Sequence, residues 1–286
     1  MEQDIPYLLR GITQLTTESS TLISSSKYLN NPALRDWLSQ ELLRRNGKDL
    51  PVPSGAFRLS QIIKDMQDFD RISDMLEEER KRLPELDRFL EEGFVSTYTR
   101  DDLKHYPPES VAGIFYKVMT EGDYQVDIVP PWEPRNHYEL YLLRSGQVHD
   151  MEHIITGGPF DSPGEVVTAF ARLENVHKYF SPELASELTV MGFFGAFRFL
   201  TRTVLHYPQV WHDMFGAMER GRRVGKASDL FVLARYEDVF HLTPAEARKV
   251  LGIREVDDTV DTTRAHRIWN ELPVEDEEIT RAEAAE

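Results

Sequence analysis

The sequence predicts an all-α fold: a single multi-helix domain with an N-terminal helical extension and an acidic C-terminal tail. Two observations carry this expectation. Apolar residues recur at helical spacing between proline-marked starts and glycine-marked stops along most of the chain. The one stretch with strand-like alternation, "YQVDIVPPWEP" at 124 to 134, is cut short by its own prolines, so a sheet has almost no raw material.

The elements follow in chain order. Asn31-Pro32 opens a first helix and Gly47 closes it, with Leu34, Trp37, Leu38 and Leu42 at helical spacing. "PVPSGAF" then reads as a linker, which sets residues 1–57 apart as an extension. From Ser60 an amphipathic pattern (Ile62, Ile63, Met66, Phe69, Ile72, Met75, Leu76) runs to Pro84, and Leu86 to Leu90 continue it as a separate helix ended by Gly93. "PESVAGIFYKVMT" predicts a helix over 108–120. Further helices are expected at 137–156, 163–180, 182–206, 208–223, 228–241 and 244–250, several with proline behind a Ser or Thr cap. These complete a core domain over 58–253. From Glu255 to Glu286 eleven acids face three arginines with little apolar periodicity, so residues 254–286 read as an acidic, flexible tail into which only Ile268 and Trp269 offer docking groups.

Composition excludes several function classes. The 286 residues carry a formal net charge of -16, which argues against nucleic acid or a broad anionic lipid surface as partner, because both demand a basic face. The absence of cysteine removes disulfides and thiolate-bound zinc, leaving His, Asp and Glu as metal anchors. The start, "MEQDIPYLLR", bears acids where an export signal would bear basic residues, so no export is expected. The most apolar helical stretch, Thr189 to Leu205, is interrupted by Arg198 and Arg202 and falls short of the ~20 apolar residues of a spanning helix, so it reads as buried or groove-lining.

The densest chemistry lies in "VHDMEHIITGGPFDSPGE", residues 148–165. On a helix His149 and His153 stand one turn apart on one face, with Asp150 roughly 100° round from His149, so three potential ligands share a sector. "TGGPFDSPG" reverses the chain within nine residues and can bring Glu165, on the first turn of the next helix, beside that face. Asp161 competes as an oxygen donor, and Glu152 is less well aimed. Imidazole and carboxylate suit zinc, manganese or iron. Two plainer readings stand beside this one. The "HDxxH" can be a solvated polar face, and Ser162-Pro163-Gly164-Glu165 can be a capping box, as Thr243-Pro244-Ala245-Glu246 is at a place without neighbouring histidines.

His149, Asp150, His153 and Glu165, spaced as "HDxxH", eleven residues and Glu, resemble the hallmark of the coenzyme Q (ubiquinone) biosynthesis protein Coq-four family. "ELYLLRSGQ", "YPPESVAGIFYKVM", "GRRVGKASDLFVLARYEDVF" and "EARKVLGI" resemble that family's segments in the same order, and the likeness covers roughly residues 60 to 253. The resemblance implies a divalent ion held by these four residues, zinc in the first place, with manganese, iron or cobalt as alternatives. It also implies oxidative decarboxylation of a polyprenylated para-hydroxybenzoate-type precursor, the ring carboxyl giving way to a hydroxyl. Other ubiquinone biosynthesis proteins are the implied partners, at a cytoplasmic, peripheral position on the inner face of the membrane. A homodimer stays open. The N-terminal extension, the acidic tail and the polar "RSGQV" depart from the family pattern.

A prenyl tail needs a dry channel, and "VMGFFGAFRFL" offers Phe193, Phe194 and Phe197 beside small residues, although ordinary core packing is the better default for such a stripe. Arg220, Arg222, Arg223 and Lys226 form a basic cluster fit for an anionic head group or for pairing with the chain's own acids. Pro130, Pro131 and Trp132 form a further candidate for membrane contact. Two rival functions remain at this level. One is a non-enzymatic prenyl-lipid scaffold. The other is an HD-type metal phosphohydrolase, for which His105 and Asp213 would have to complete the site.

Overall fold

The computed structural model describes residues 24–43, 45, 55–121 and 128–274. Among them it contains twelve α-helices and no strand. These are α1 (Pro32–Leu43), α2 (Ala56–Met66), α3 (Phe69–Glu79), α4 (Pro84–Glu92), α5 (Arg100–Leu103) and α6 (Val111–Glu121) in the first half. The second half holds α7 (His137–Thr156), α8 (Ser162–Tyr179), α9 (Pro182–His206), α10 (Trp211–Ala227), α11 (Pro244–Leu251) and α12 (Thr263–Trp269).

Helix α7 is the central rod. It packs against α3, α6, α8 and α11, and therefore buries residues on nearly every side, from Tyr138 to Thr156. Its ends are fixed by local chemistry. Asn136 caps the start by accepting from the Glu139 amide, and Gly157, at φ 76°, supplies the left-handed turn that stops it. Arg248 of α11 then donates to the carbonyls of Ile154 and Ile155, covering acceptors that the last turn leaves without intrahelical partners.

Helix α8 returns along α7 and makes its most extensive contact with α10. That approach depends on two glycines. A methyl group at Gly221 or Gly225 would lie 2.3 Å from the carbonyl oxygens of Val167 and Ala171 respectively. These glycines, set among the residues of the basic cluster, are the points where two helix backbones touch.

Three expectations need correction. The pattern from Ser60 is two helices, because Gln67 is extended and Asp68 caps α3 by accepting from the Arg71 amide. The stretch 228–241 is not an α-helix. Its apolar residues Phe231, Val232 and Tyr236 are buried in turns and a short 3-10 segment, Tyr236–Val239, held by Asn175, which donates to the Gly225 and Asp229 carbonyls and accepts from the Phe231 amide. Residues 254–274, expected to be flexible, carry α12, whose Trp269 is 1% exposed and stacks on Phe199. The rest of the tail, residues 275–286, lies outside the described residues, as do the chain start and residues 124–127 of the strand-like stretch. Its remainder, 128–134, has no regular secondary structure.

Helix α9 is long and apolar enough, by length and composition, to cross a membrane. Its arginines argue for a protein environment: Arg198 and Arg202 are buried, with Arg198 Nη1 3.4 Å and Arg202 Nη1 3.9 Å from Glu41 Oε2 of α1.

Candidate metal centre

The turn between α7 and α8 builds the site. Residues 157–161 reverse the chain, and α8 starts at Ser162 with Asp161 as its cap, accepting from the Gly164 amide at 2.8 Å. Asp161 also accepts from the Thr262 hydroxyl ahead of α12, so the docked tail buttresses this cap. The cap is thus one residue earlier than the sequence grammar suggested, and Glu165 falls outside any capping box. Thr243 and Glu246 do form the reciprocal box that their spacing announced. Relieved of capping, Glu165 faces α7.

His149, His153 and Glu165 each offer one ligand atom, all within 4.8 Å of one another. Glu165 Oε2 is 3.6 Å from His149 Nε2, and Glu165 Oε1 is 3.6 Å from His153 Nε2. These gaps exceed hydrogen-bond length. Ligand atoms about 2.1 Å from a shared ion in tetrahedral directions would sit roughly 3.4 Å apart, close to what is seen. The imidazoles stand nearly perpendicular, at 84°, with ring centroids 5.0 Å apart.

His153 is the best-defined donor. Its Nδ1 lies 3.0 Å from the Gly158 carbonyl and 3.2 Å from that of Pro159, and since carbonyls only accept, Nδ1 carries the proton. In the neutral ring the lone pair is then on Nε2, which is buried and makes no hydrogen bond. A metal-ligating histidine is held in this way, its second nitrogen donating to a backbone carbonyl. Phe160 stacks on the ring at 4.9 Å and fixes its plane. The residues thus fit a divalent ion with nitrogen and oxygen ligands, and the access side is that of His149, whose side chain is 40% exposed.

Electrostatics favour the same assignment. Burial alone would raise the Glu165 carboxyl, but the His153 and His149 imidazoles hold it well below the carboxylate range, so it is an anion. Burial opposes charge on His149, yet Glu165, with Asp150 and Glu152, outweighs it and pushes that imidazole up to about 9. The pull is softened by solvent at this open edge. In the metal-free protein the stabilising effect of His149 is full below its ordinary value of 6.5 and is lost as pH rises through about 9. The Glu165 effect runs the other way, present above 4.5 and lost as acid protonates it. A divalent ion has to displace the His149 proton. Its affinity is therefore expected to climb with pH between 6.5 and about 9, with proton release visible by calorimetry in buffers of different ionisation enthalpy. A flat profile over that range would contradict the arrangement.

The other candidates are placed as follows. Asp150 stands outside the 4.8 Å triad, its carboxyl raised by burial while the two histidines pull it down. Asp161 is committed to capping. Glu152 turns away from the triad to Arg172 of α8, at 2.7 Å. His105 is exposed and, like Asp213, joins no such cluster among the described residues, which leaves the HD-type phosphohydrolase without its remaining ligands. Sequence reasoning missed Arg172 and the two loop carbonyls behind His153. Arg172 had a signal, standing two helical turns after Glu165; the carbonyls had none.

Phe193 and Phe197 stack at 5.9 Å on the open face of α9 and are 47% and 39% exposed. Phe193 and Phe194 line a groove of about 470 Å³ with Tyr28, Phe170, His177 and Arg222. Arg222 pairs with Glu174 at 3.0 Å, while Arg223 is exposed. The groove shares α8 with the triad but lies toward the helix's other end.

No protein-family profile and no curated protein sequence matches the chain. A solved structure does: the crystal structure of a "putative ubiquinone biosynthesis protein" from Nostoc punctiforme aligns with a TM-score of 0.56 over 79% of this chain and 94% of that one, at 16% sequence identity. At this identity the likeness is one of fold.

Proposed function

We propose that the chain is a metal-dependent enzyme of ubiquinone biosynthesis, acting on a prenylated para-hydroxybenzoate-type precursor whose ring carboxyl leaves as carbon dioxide and is replaced by a hydroxyl drawn from water, with dioxygen as the two-electron oxidant, reduced to hydrogen peroxide. The observation that carries this reading is His153 Nε2, buried, without a hydrogen bond and grouped with ligand atoms of His149 and Glu165 that all lie within 4.8 Å of one another. The fold shared with the Nostoc protein, whose name places it in that pathway, agrees with it.

A bound divalent ion would supply Lewis acidity toward a substrate carboxylate or phenolate. The protein's own groups do the rest. His153 gives a rigid nitrogen from the core, His149 one from the open edge, and Glu165 an anionic oxygen from the facing helix. Asp150, whose carboxyl burial raises toward neutrality, is suited to take up or return a proton beside them. The groove lined by Phe193, Phe194 and Arg222 suits an isoprenoid tail. The exposed apolar residues Met191, Phe197, Val204 and Leu205 on α9 suit a peripheral position on a membrane.

Glu165→Gln tests site and pathway together. It keeps the shape, removes the anion, and is expected to weaken divalent-ion binding by more than the roughly 10- to 100-fold that outer-sphere partners cost. Purified wild-type protein loaded with metal should convert the prenylated precursor without added partners, and cells relying on Glu165→Gln should lose ubiquinone. Wild-type protein that binds metal but forms no product alone would point to the lipid scaffold instead.

A further inference from the structure

The ion pair between Glu152 and Arg172 joins the same two helices as the triad and is not needed to hold a metal. Glu152 precedes His153 directly and is 0% exposed. Arg172 stands seven residues after Glu165, two turns along α8 and only about 20° off its direction. Arg172 donates from Nη2 and Nε to one carboxylate oxygen of Glu152, at 2.7 and 2.9 Å, and from Nη2 to the Ser145 carbonyl of α7 at 3.2 Å. One guanidinium thus grips α7 at two places two turns apart.

As a source of stability this pair is poor. The other Glu152 oxygen, Oε1, and the Ser145 hydroxyl are buried without a hydrogen bond. A buried pair with unsatisfied atoms is commonly matched or bettered by apolar side chains, and the best-attested use of such pairs is to fix register. Register is what the neighbouring triad requires. One residue of slip between α7 and α8 moves Glu165 about 1.5 Å along the histidine face, which would spoil two separations that are both 3.6 Å.

The geometry points to Glu152 and Arg172 as positioning residues that set the α7–α8 register for the metal centre; this rests on the metal reading above. The test is a double replacement, Glu152→Met with Arg172→Met, alongside Arg172→Lys and the wild type. The double variant should melt at or above the wild-type temperature, bind Zn2+ or Co2+ at least about 10-fold more weakly, and show an altered visible spectrum of bound Co2+. Arg172→Lys keeps the charge but not the fork, and should show a smaller loss in the same direction. It decides the matter should the double variant fail to fold. Wild-type affinity and spectrum in the folded variants would overturn the positioning role while leaving the metal centre standing. A wild-type protein that binds neither ion removes the centre and this role with it.

Discussion

Replacing His153 by alanine is expected to empty the proposed metal centre, from about one divalent ion per chain to background in metal analysis of the purified protein. The size of the effect follows from what the side chain does. His153 is the only donor of the triad whose side chain is wholly buried, and its tautomer is set by the Gly158 and Pro159 carbonyls. Alanine removes the ligand, deletes the hydrogen-bond donor for both carbonyls and opens a cavity against Phe160, so a stability loss of about 2 to 4 kcal/mol should accompany it. Ligand loss and fold loss are separated by His153→Asn. An asparagine amide can go on donating to those carbonyls but has nothing in place of Nε2. The asparagine variant should keep most of the stability and still lose the metal. If it retains the ion at wild-type stoichiometry, His153 is a structural residue and the centre is wrongly assigned.

The parts of this site that could be read in the sequence are those decided by local geometry. The spacing of His149 and His153 is a property of any α-helix, and a nine-residue connection rich in glycine and proline can only reverse the chain. What stayed hidden depends on long-range contacts. Asp161 and Ser162 are equally good caps by type; Thr262, 101 residues after Asp161, donates to Asp161, and with Asp161 as the cap Glu165 lies outside a capping box. The fold divides the same way. Although α7 is buried on nearly every side and not along one face, helical spacing with cap and proline signals revealed α7 to α10. It failed at 228–241, where the side-chain amide of Asn175 meets backbone groups that a helix would have satisfied itself. It ran through the break at Gln67, because the apolar rhythm continues across it even though α2 packs on the cluster around Trp37 and α3 on the main core.

The second large effect is expected at a residue that touches no metal. Gly164→Ala places a methyl carbon 1.7 Å from the Pro159 carbonyl oxygen, a backbone atom that no side-chain rotation can clear. The Pro159 carbonyl is already a node, accepting from the Asp161 amide at 2.8 Å and facing His153 Nδ1 at 3.2 Å. Pushing it aside should loosen the cap of α8 and the orientation of His153 in one step, at a cost of about 3 kcal/mol or more. For a chain of this size that lowers the melting temperature by roughly 6 to 12 °C. Divalent-ion affinity should fall with it, since Glu165 is the next residue. Gly192→Ala and Gly195→Ala are the controls. Both glycines lie in the interior of α9 with no atom within 4 Å of an added methyl, so alanine there should stabilise the protein slightly, by up to about 1 kcal/mol, and leave metal binding alone. Should Gly164→Ala melt within a degree of wild type, the tight reversal is not what brings Glu165 to the histidines. The two helices would then have to be held without the loop, by contacts such as the Glu152–Arg172 pair, and metal affinity would become insensitive to the loop.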